Sequence, residues 1–216
     1  MTRPLLLGHR GARASRDTPE NTLESFELCL QHGCDGFEFD VRRAADGQAV
    51  VCHDPVIRGM VIAKTPASAL GLSTLAEVLS SFGERAFLDI ELKVAGLEQK
   101  TIALLREHSP RKGCVVSSFK PEVLTAIHGF DPSISLGFIC DRRDELKGWR
   151  DLPLAWVIPE LEVVDPTLIE QVQASGKKVM VWTVNRPDEM RRFAELGVDA
   201  VISDKTELAA ATLSVP

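Results

Sequence analysis

The stretch GFEFDV, residues 36–41, sets two carboxylates two positions apart inside an apolar run. Side chains alternate across a strand, so Glu38 and Asp40 share one face, with Phe37, Phe39 and Val41 on the other. One unpaired buried carboxylate is costly, and a second beside it adds like-charge repulsion. That face therefore meets water, or something positive sits on it. The spacing recurs in AFLDIELK, where Glu91 and Lys93 are two apart near a strand end. His9-Arg10 follows the apolar run LLLG, His53-Asp54 follows AVVC, and Trp182 and Asn185 close VMVWTVN.

Together these residues fit metal-assisted phosphodiester chemistry. Glu38, Asp40 and Glu91 bring three negative charges. One divalent cation with Arg10 and Lys93 leaves the site near +1, and a phosphodiester monoanion brings it to zero. Oxygen-only ligands favour Mg2+ or Ca2+ over Zn2+. His9 and His53 supply imidazoles able to take a proton from a nucleophile and give one to a leaving oxygen near neutral pH. Arg10 and the cation would stabilise charge on non-bridging oxygens. Taken singly, each feature has a structural explanation: a bonded histidine, a solvated strand edge, a salt bridge at Glu91-Lys93, a helix cap at Asn21 with Glu20 in the first turn, and packing for Trp182. Their common position at strand ends makes them a candidate site.

The elements that must position them alternate. Strands are expected at 5–9, 36–41, 49–53, 86–92, 114–118, 135–139, 155–159, 179–184 and 200–204, from short β-branched runs bounded by turn residues. Between them lie helix signals. Asn21 with Glu24 and Thr74 with Glu77 read as capping pairs. A segment at 97–107 carries Leu97, Ile102 and Leu105; Pro121, Pro166 and Pro187 suit first turns, and Gly33, Gly129, Gly176 and Gly197 suit helix ends. If 49–53 is an antiparallel arm, eight strands remain, about 27 residues per unit. Alternating βα units imply a parallel sheet, and eight of them a closed (β/α)8 TIM barrel, a single domain over 1–216 with a short insertion at 54–72. In that fold functional groups collect at the C-terminal ends of the strands. A doubly wound open sheet would carry a Gly-rich loop after its first strand, and HRGAR is not one.

Composition narrows the function. The 216 residues are 44% hydrophobic and 26% charged, with a formal net charge of -6 and both signs interleaved. That excludes a general nucleic-acid surface, which needs a basic patch. The five cysteines are odd in number and form no C-x-x-C pair, so reduced thiols in a cytoplasmic protein are expected. The apolar run near Met1 is too short for a signal peptide or membrane span.

HRGARASRDTPENTLESF, GFEFDVRRAADGQAVVCHDP, FLDIELK, VWTVN and GVDAVISD together resemble the glycerophosphodiester phosphodiesterase family, nearly end to end. The resemblance implies a barrel that hydrolyses small-molecule glycerophosphodiesters to glycerol 3-phosphate and an alcohol. It implies His9 and His53 as acid and base, Glu38, Asp40 and Glu91 as metal ligands, and Arg10 and Lys93 as phosphate holders. It also puts Glu20 beside the metal, Asn21 bracing the same loop, and Trp182 along the pocket. The chain departs from the pattern at Ala44-Ala45 before the Asp46-Gly47 turn, at Ser203-Asp204-Lys205-Thr206, and in the short segment after His53-Asp54-Pro55. A shorter lobe over the mouth would also suit head-group release from lysophospholipids, although no amphipathic membrane helix is evident. A non-catalytic phosphodiester-binding barrel is the reading of another class. Attack by water and attack by the substrate's own glycerol hydroxyl are both compatible with these residues.

Overall fold

The computed structural model describes residues 3–213. Eleven strands and eight α-helices run in the order β1 (Leu5–Gly8), α1 (Leu23–Gln31), β2 (Gly36–Arg43), β3 (Ala49–Val51), β4 (Val56–Ile57), β5 (Met60–Val61), α2 (Ala67–Leu70), α3 (Leu75–Phe82), β6 (Phe87–Leu92), α4 (Glu98–His108), β7 (Cys114–Ser118), α5 (Pro121–Phe130), β8 (Leu136–Cys140), β9 (Trp156–Pro159), α6 (Pro166–Ala174), β10 (Lys178–Val181), α7 (Pro187–Glu195), β11 (Ala200–Ser203) and α8 (Thr206–Leu213). Eight strands pair in parallel in the order β1-β11-β10-β9-β8-β7-β6-β2, and β1 pairs again with β2, which closes the barrel. β3 is the antiparallel arm on β2, with Val41 opposite Val51. The expected (β/α)8 barrel is the observed one.

Alternation along each strand sorts the side chains. The outward residues of β2, Phe37 and Phe39, pack with Phe26 of α1 and Phe82 of α3; the Phe26 and Phe37 rings stack at 4.2 Å. The inward residues divide by height. Leu7, Phe87, Val115, Ile139, Trp156, Ile158, Met180, Ala200 and Ile202 form a second apolar cluster inside the barrel. Glu38, Asp40, Asp89 and Glu91 are inward too, and all four are buried. The β2–β6 register sets Glu38 beside Asp89 and Asp40 beside Glu91, so the acids occupy two adjacent layers.

The local differences from expectation have physical causes. Asn21 is not the cap of α1: Thr22 is, its hydroxyl accepting from the Ser25 amide, while Asn21 stands at φ 59° with its side chain drawn to Asp40. Gly129 lies within α5 rather than after it. The connection from β8 to β9 is a 3-10 segment, Glu145–Asp151, where Leu146 and Trp149 sit three apart and point inward together. Residues 54–72 build the β4–β5 hairpin, a 3-10 turn and α2 over a small cluster of Ala44, Val50, Cys52, Ile62 and Leu70.

Candidate active site

Glu38 and Asp40 end the inward row of β2, and Glu91 ends that of β6. One oxygen from each lies within 4.8 Å of the others. Their environments differ. Lys93 Nζ stands 2.7 Å from Glu91 Oε1 and 3.2 Å from Asp40 Oδ1, and Arg10 Nε 3.2 Å from Asp40 Oδ2. Asn21 donates to Asp40 Oδ2 at 2.8 Å and accepts from the Asp40 amide at 3.2 Å. Burial opposes ionisation of Asp40, but Lys93 and Arg10 outweigh it and hold its carboxyl below the ordinary range. Glu38 Oε2 accepts one hydrogen bond among the described residues, from the Arg10 amide at 3.0 Å. Burial first, then Asp40 and Glu91, push Glu38 well up. Burial and Asp40 raise Glu91 to about 7.

Glu38 Oε1 is buried without a hydrogen bond, and Asp40 Oδ1 is buried with only the Lys93 ammonium 3.2 Å away, out of hydrogen-bond alignment. Native structures leave few such atoms unsatisfied, and a hard cation satisfies carboxylate oxygens directly. The donor set fits a divalent oxygen-loving ion, and such an ion would remove the reason for Glu38 and Glu91 to hold protons.

The loop after β1 supplies His9 and Arg10. His9 Nδ1 is 2.7 Å from Asp204 Oδ1, and Nε2 is 3.9 Å from Glu38 Oε2. Arg10 adopts φ 52°, which turns its amide onto Glu38 while its guanidinium donates to Glu20 at 2.8 Å. Glu20 also accepts from Arg13 at 2.7 Å, so its carboxylate steers two arginines and meets Asp40 only through Arg10. His53 stands after β3 with Nδ1 2.8 Å from Asp54 Oδ1, and Arg42 donates to the His53 carbonyl. Trp182 donates its indole N–H to Ile158 O at 3.0 Å and meets Phe119 edge to face. Lys93 Nζ lies 5.6 Å above the same Phe119 ring.

These groups share one pocket of about 180 Å³. His9, Arg10, Glu38, His53, Asp89, Glu91 and Lys93 form its polar side, and Phe119, Ile139, Ile158, Trp182 and Ile202 its apolar side. The structure thus gathers both histidines, Glu38, Glu91, both cations and Trp182 around the pocket, with Asp40 beside the two glutamates, Asn21 bonded to Asp40 and Glu20 bonded to Arg10. Three residues escaped the sequence reading: Asp204, Asp89 and Phe119. Asp204 directly follows β11 at the same face, and Asp89 sits two before Glu91 on β6, so alternation points to the position of both, though not to the partners they meet.

Residues 9–99 and 83–208 match the model of the glycerophosphoryl diester phosphodiesterase family. The chain belongs to this family. It is 29% identical over 232 residues to a glycerophosphodiester phosphodiesterase of Caldanaerobacter subterraneus subsp. tengcongensis, covering 94% of this chain and 95% of that protein. An Oleispira antarctica phosphodiesterase, solved in complex with the product sn-glycerol-3-phosphate, superposes with a TM-score of 0.83 at 28% identity, covering 97% of this chain and 96% of that one. A glycerophosphodiester phosphodiesterase from Thermotoga maritima gives 0.82 at 25% identity over 98% and 99% of the two chains. Like its family, the protein is a phosphoric diester hydrolase built on a (β/α)8 barrel. No helix among the described residues is long and apolar enough to cross a membrane.

Proposed function

We propose that the pocket hydrolyses glycerophosphodiesters to glycerol 3-phosphate and an alcohol, with His9 and His53 as acid and base. The observation that carries this reading is a pocket lined by Glu38, Glu91, two histidines, Arg10 and Lys93 with one apolar wall, with a buried Asp40 oxygen within 4.8 Å of the Glu38 and Glu91 oxygens. Glu38, Asp40 and Glu91 would hold a hard divalent ion, Mg2+ or Ca2+, which when bound polarises the phosphoryl oxygens. Arg10 and Lys93 reach the same oxygens as fixed cations. Asp204 occupies His9 Nδ1, which leaves Nε2 to the pocket. One imidazole takes the proton of the attacking hydroxyl, from water or from the substrate's glycerol, and the other gives a proton to the alcohol as the P–O bond breaks. Glu20 and Asn21 set Arg10 and Asp40, and Trp182 with Phe119 lines the apolar side against the substrate's carbon atoms.

The barrel with its reduced 54–72 insertion acts as one catalytic unit in this reading. All five cysteines are free thiols, which supports a reducing compartment such as the cytoplasm. The test is release of glycerol 3-phosphate from glycerophosphocholine or glycerophosphoethanolamine, after chelation and after adding back Mg2+ or Ca2+. Turnover restored by the cation is expected. Folded, cation-loaded protein inert on every glycerophosphodiester overturns the proposal.

A further inference from the structure

One acid in the pocket has no task in the chemistry above. Asp89 is 0% exposed and borders the same pocket as the histidines. It lies outside the trio whose oxygens converge within 4.8 Å. Ser117, itself fully buried on β7, donates its hydroxyl to Asp89 Oδ1 at 2.5 Å and so fixes the carboxyl plane. The other oxygen, Oδ2, is buried with no hydrogen-bond partner among the described residues.

Position says what Oδ2 could meet. Asp89 is two residues before Glu91 on β6, about 6.6 Å deeper along the strand at the usual rise. The phosphate belongs at the upper layer, among Arg10, Lys93 and the two histidines. A three-carbon polyol attached to that phosphate spans roughly one layer. The wall facing Asp89 is apolar, built from Ile139, Ile158 and Ile202, and offers a hydroxyl nothing to bond. A carboxyl group serves a hydroxyl in either protonation state, accepting when ionised and donating when neutral.

We propose that Asp89 is a specificity-determining residue whose free Oδ2 hydrogen-bonds a hydroxyl of the substrate's glycerol end. The proposal rests on the phosphodiesterase reading and adds the floor contact to it. It explains why a carboxyl is kept in the barrel interior: an organic diester without that hydroxyl leaves a buried polar group unpaired, a penalty worth roughly 10- to 100-fold in rate constant.

The experiment compares glycerophosphoethanolamine with its two analogues lacking one glycerol hydroxyl each, on the parent, Asp89→Leu, Asp89→Asn and Ser117→Ala. For the parent, kcat/KM should favour the full glycerol substrate over one analogue by about 10- to 100-fold. Asp89→Leu should lose that preference by slowing only the hydroxylated substrates, and Asp89→Asn, which keeps a polar group in place, should retain most of it. Ser117→Ala leaves the acid present but lets it rotate, so the preference should fall part-way; it serves as the second variant if Asp89→Leu does not fold. Dissociation constants for glycerol 3-phosphate and the matching deoxy phosphates should shift in the same pattern without turnover. Equal losses on all three substrates, or an unchanged preference in every variant, overturn the proposal and assign Asp89 to support of Glu38 and Glu91. A parent that turns over none of the substrates instead sinks the functional reading itself.

Discussion

His9 is held from behind by Asp204, which does not line the pocket. Asp204 Oδ1 sits 2.7 Å from Nδ1, while Asn185 donates to Oδ2 at 2.7 Å and Arg13 to Oδ1 at 3.1 Å. The Asp204 amide in turn donates to Asn185 Oδ1 at 2.9 Å. Burial opposes its charge, but His9, Asn185 and Arg13 keep the carboxyl well below the usual range, so it stays ionised throughout any working pH. An ionised acid on Nδ1 favours the proton there and leaves Nε2 facing the pocket, as the proposed acid–base role of His9 requires. Asp204→Asn should keep the shape and lose this control, lowering kcat by about 10²- to 10⁴-fold. Because Asp204 touches His9 and does not line the pocket, KM should move little. Steady-state kinetics with a circular dichroism check on folding measure both, and a variant whose loss falls wholly on KM contradicts a positioning role.

At the scale of elements, the site depends on β2 and β6 lying side by side in one register. Gly36 is where that pairing begins, opposite Phe87. A methyl group added at Gly36 would lie 1.8 Å from the Phe87 carbonyl oxygen, a backbone atom that cannot swing away. Gly36→Ala should therefore pry the strands apart below the acids and cost more than ~3 kcal/mol, at the upper end for overpacking. Denaturant unfolding reads this directly; an unchanged midpoint means the strands can shift without loss. The same alternation explains what was legible beforehand. Short β-branched runs mark all nine expected strands, and alternation puts Glu38 with Asp40 on one face and Glu91 with Lys93 on one face, each near a strand end. Three features differ from that reading for three reasons: a competing partner distant in sequence, local chain breakers, and barrel closure. Asn21 and Thr22 are both able caps, and Asn21 was withdrawn from that role by Asp40, nineteen positions away. The DELKGWRDLP stretch carries helical residues, but Gly148 and Pro153 interrupt it and the chain settles into 3-10 turns. Asp204 gains its meaning only when barrel closure, β1 against β11, brings it to His9.

Considered whole, the molecule concentrates four buried acids at the centre of a fold whose formal net charge is already -6. Without a cation this arrangement is tolerated by taking up protons. Glu38 is pushed well above the carboxylate range, by burial first; Asp89 and Glu91 are each raised to about 7, again chiefly by burial. The sign follows. In the unfolded chain these groups ionise near pH 4, so between roughly 4 and 7 the folded state binds more protons than the unfolded one. Stability of chelated protein should therefore be highest toward the acidic side of that window and fall as pH rises through 7. A divalent cation held by Glu38, Asp40 and Glu91, as proposed, would remove the need for protons on Glu38 and Glu91 and add about 2.7 kcal/mol at a hundredfold excess over Kd. For a chain of this length that corresponds to a rise in Tm of about 5–10 °C. The rise should be larger at pH 8 than at pH 5.5, since at the lower pH protons compete for the same oxygens. Thermal melts in chelator and in Mg2+ or Ca2+ across this pH range test the point. A cation-independent Tm, or chelated protein that gains stability as pH rises through 7, would mean that the acids are satisfied by something other than a shared ion.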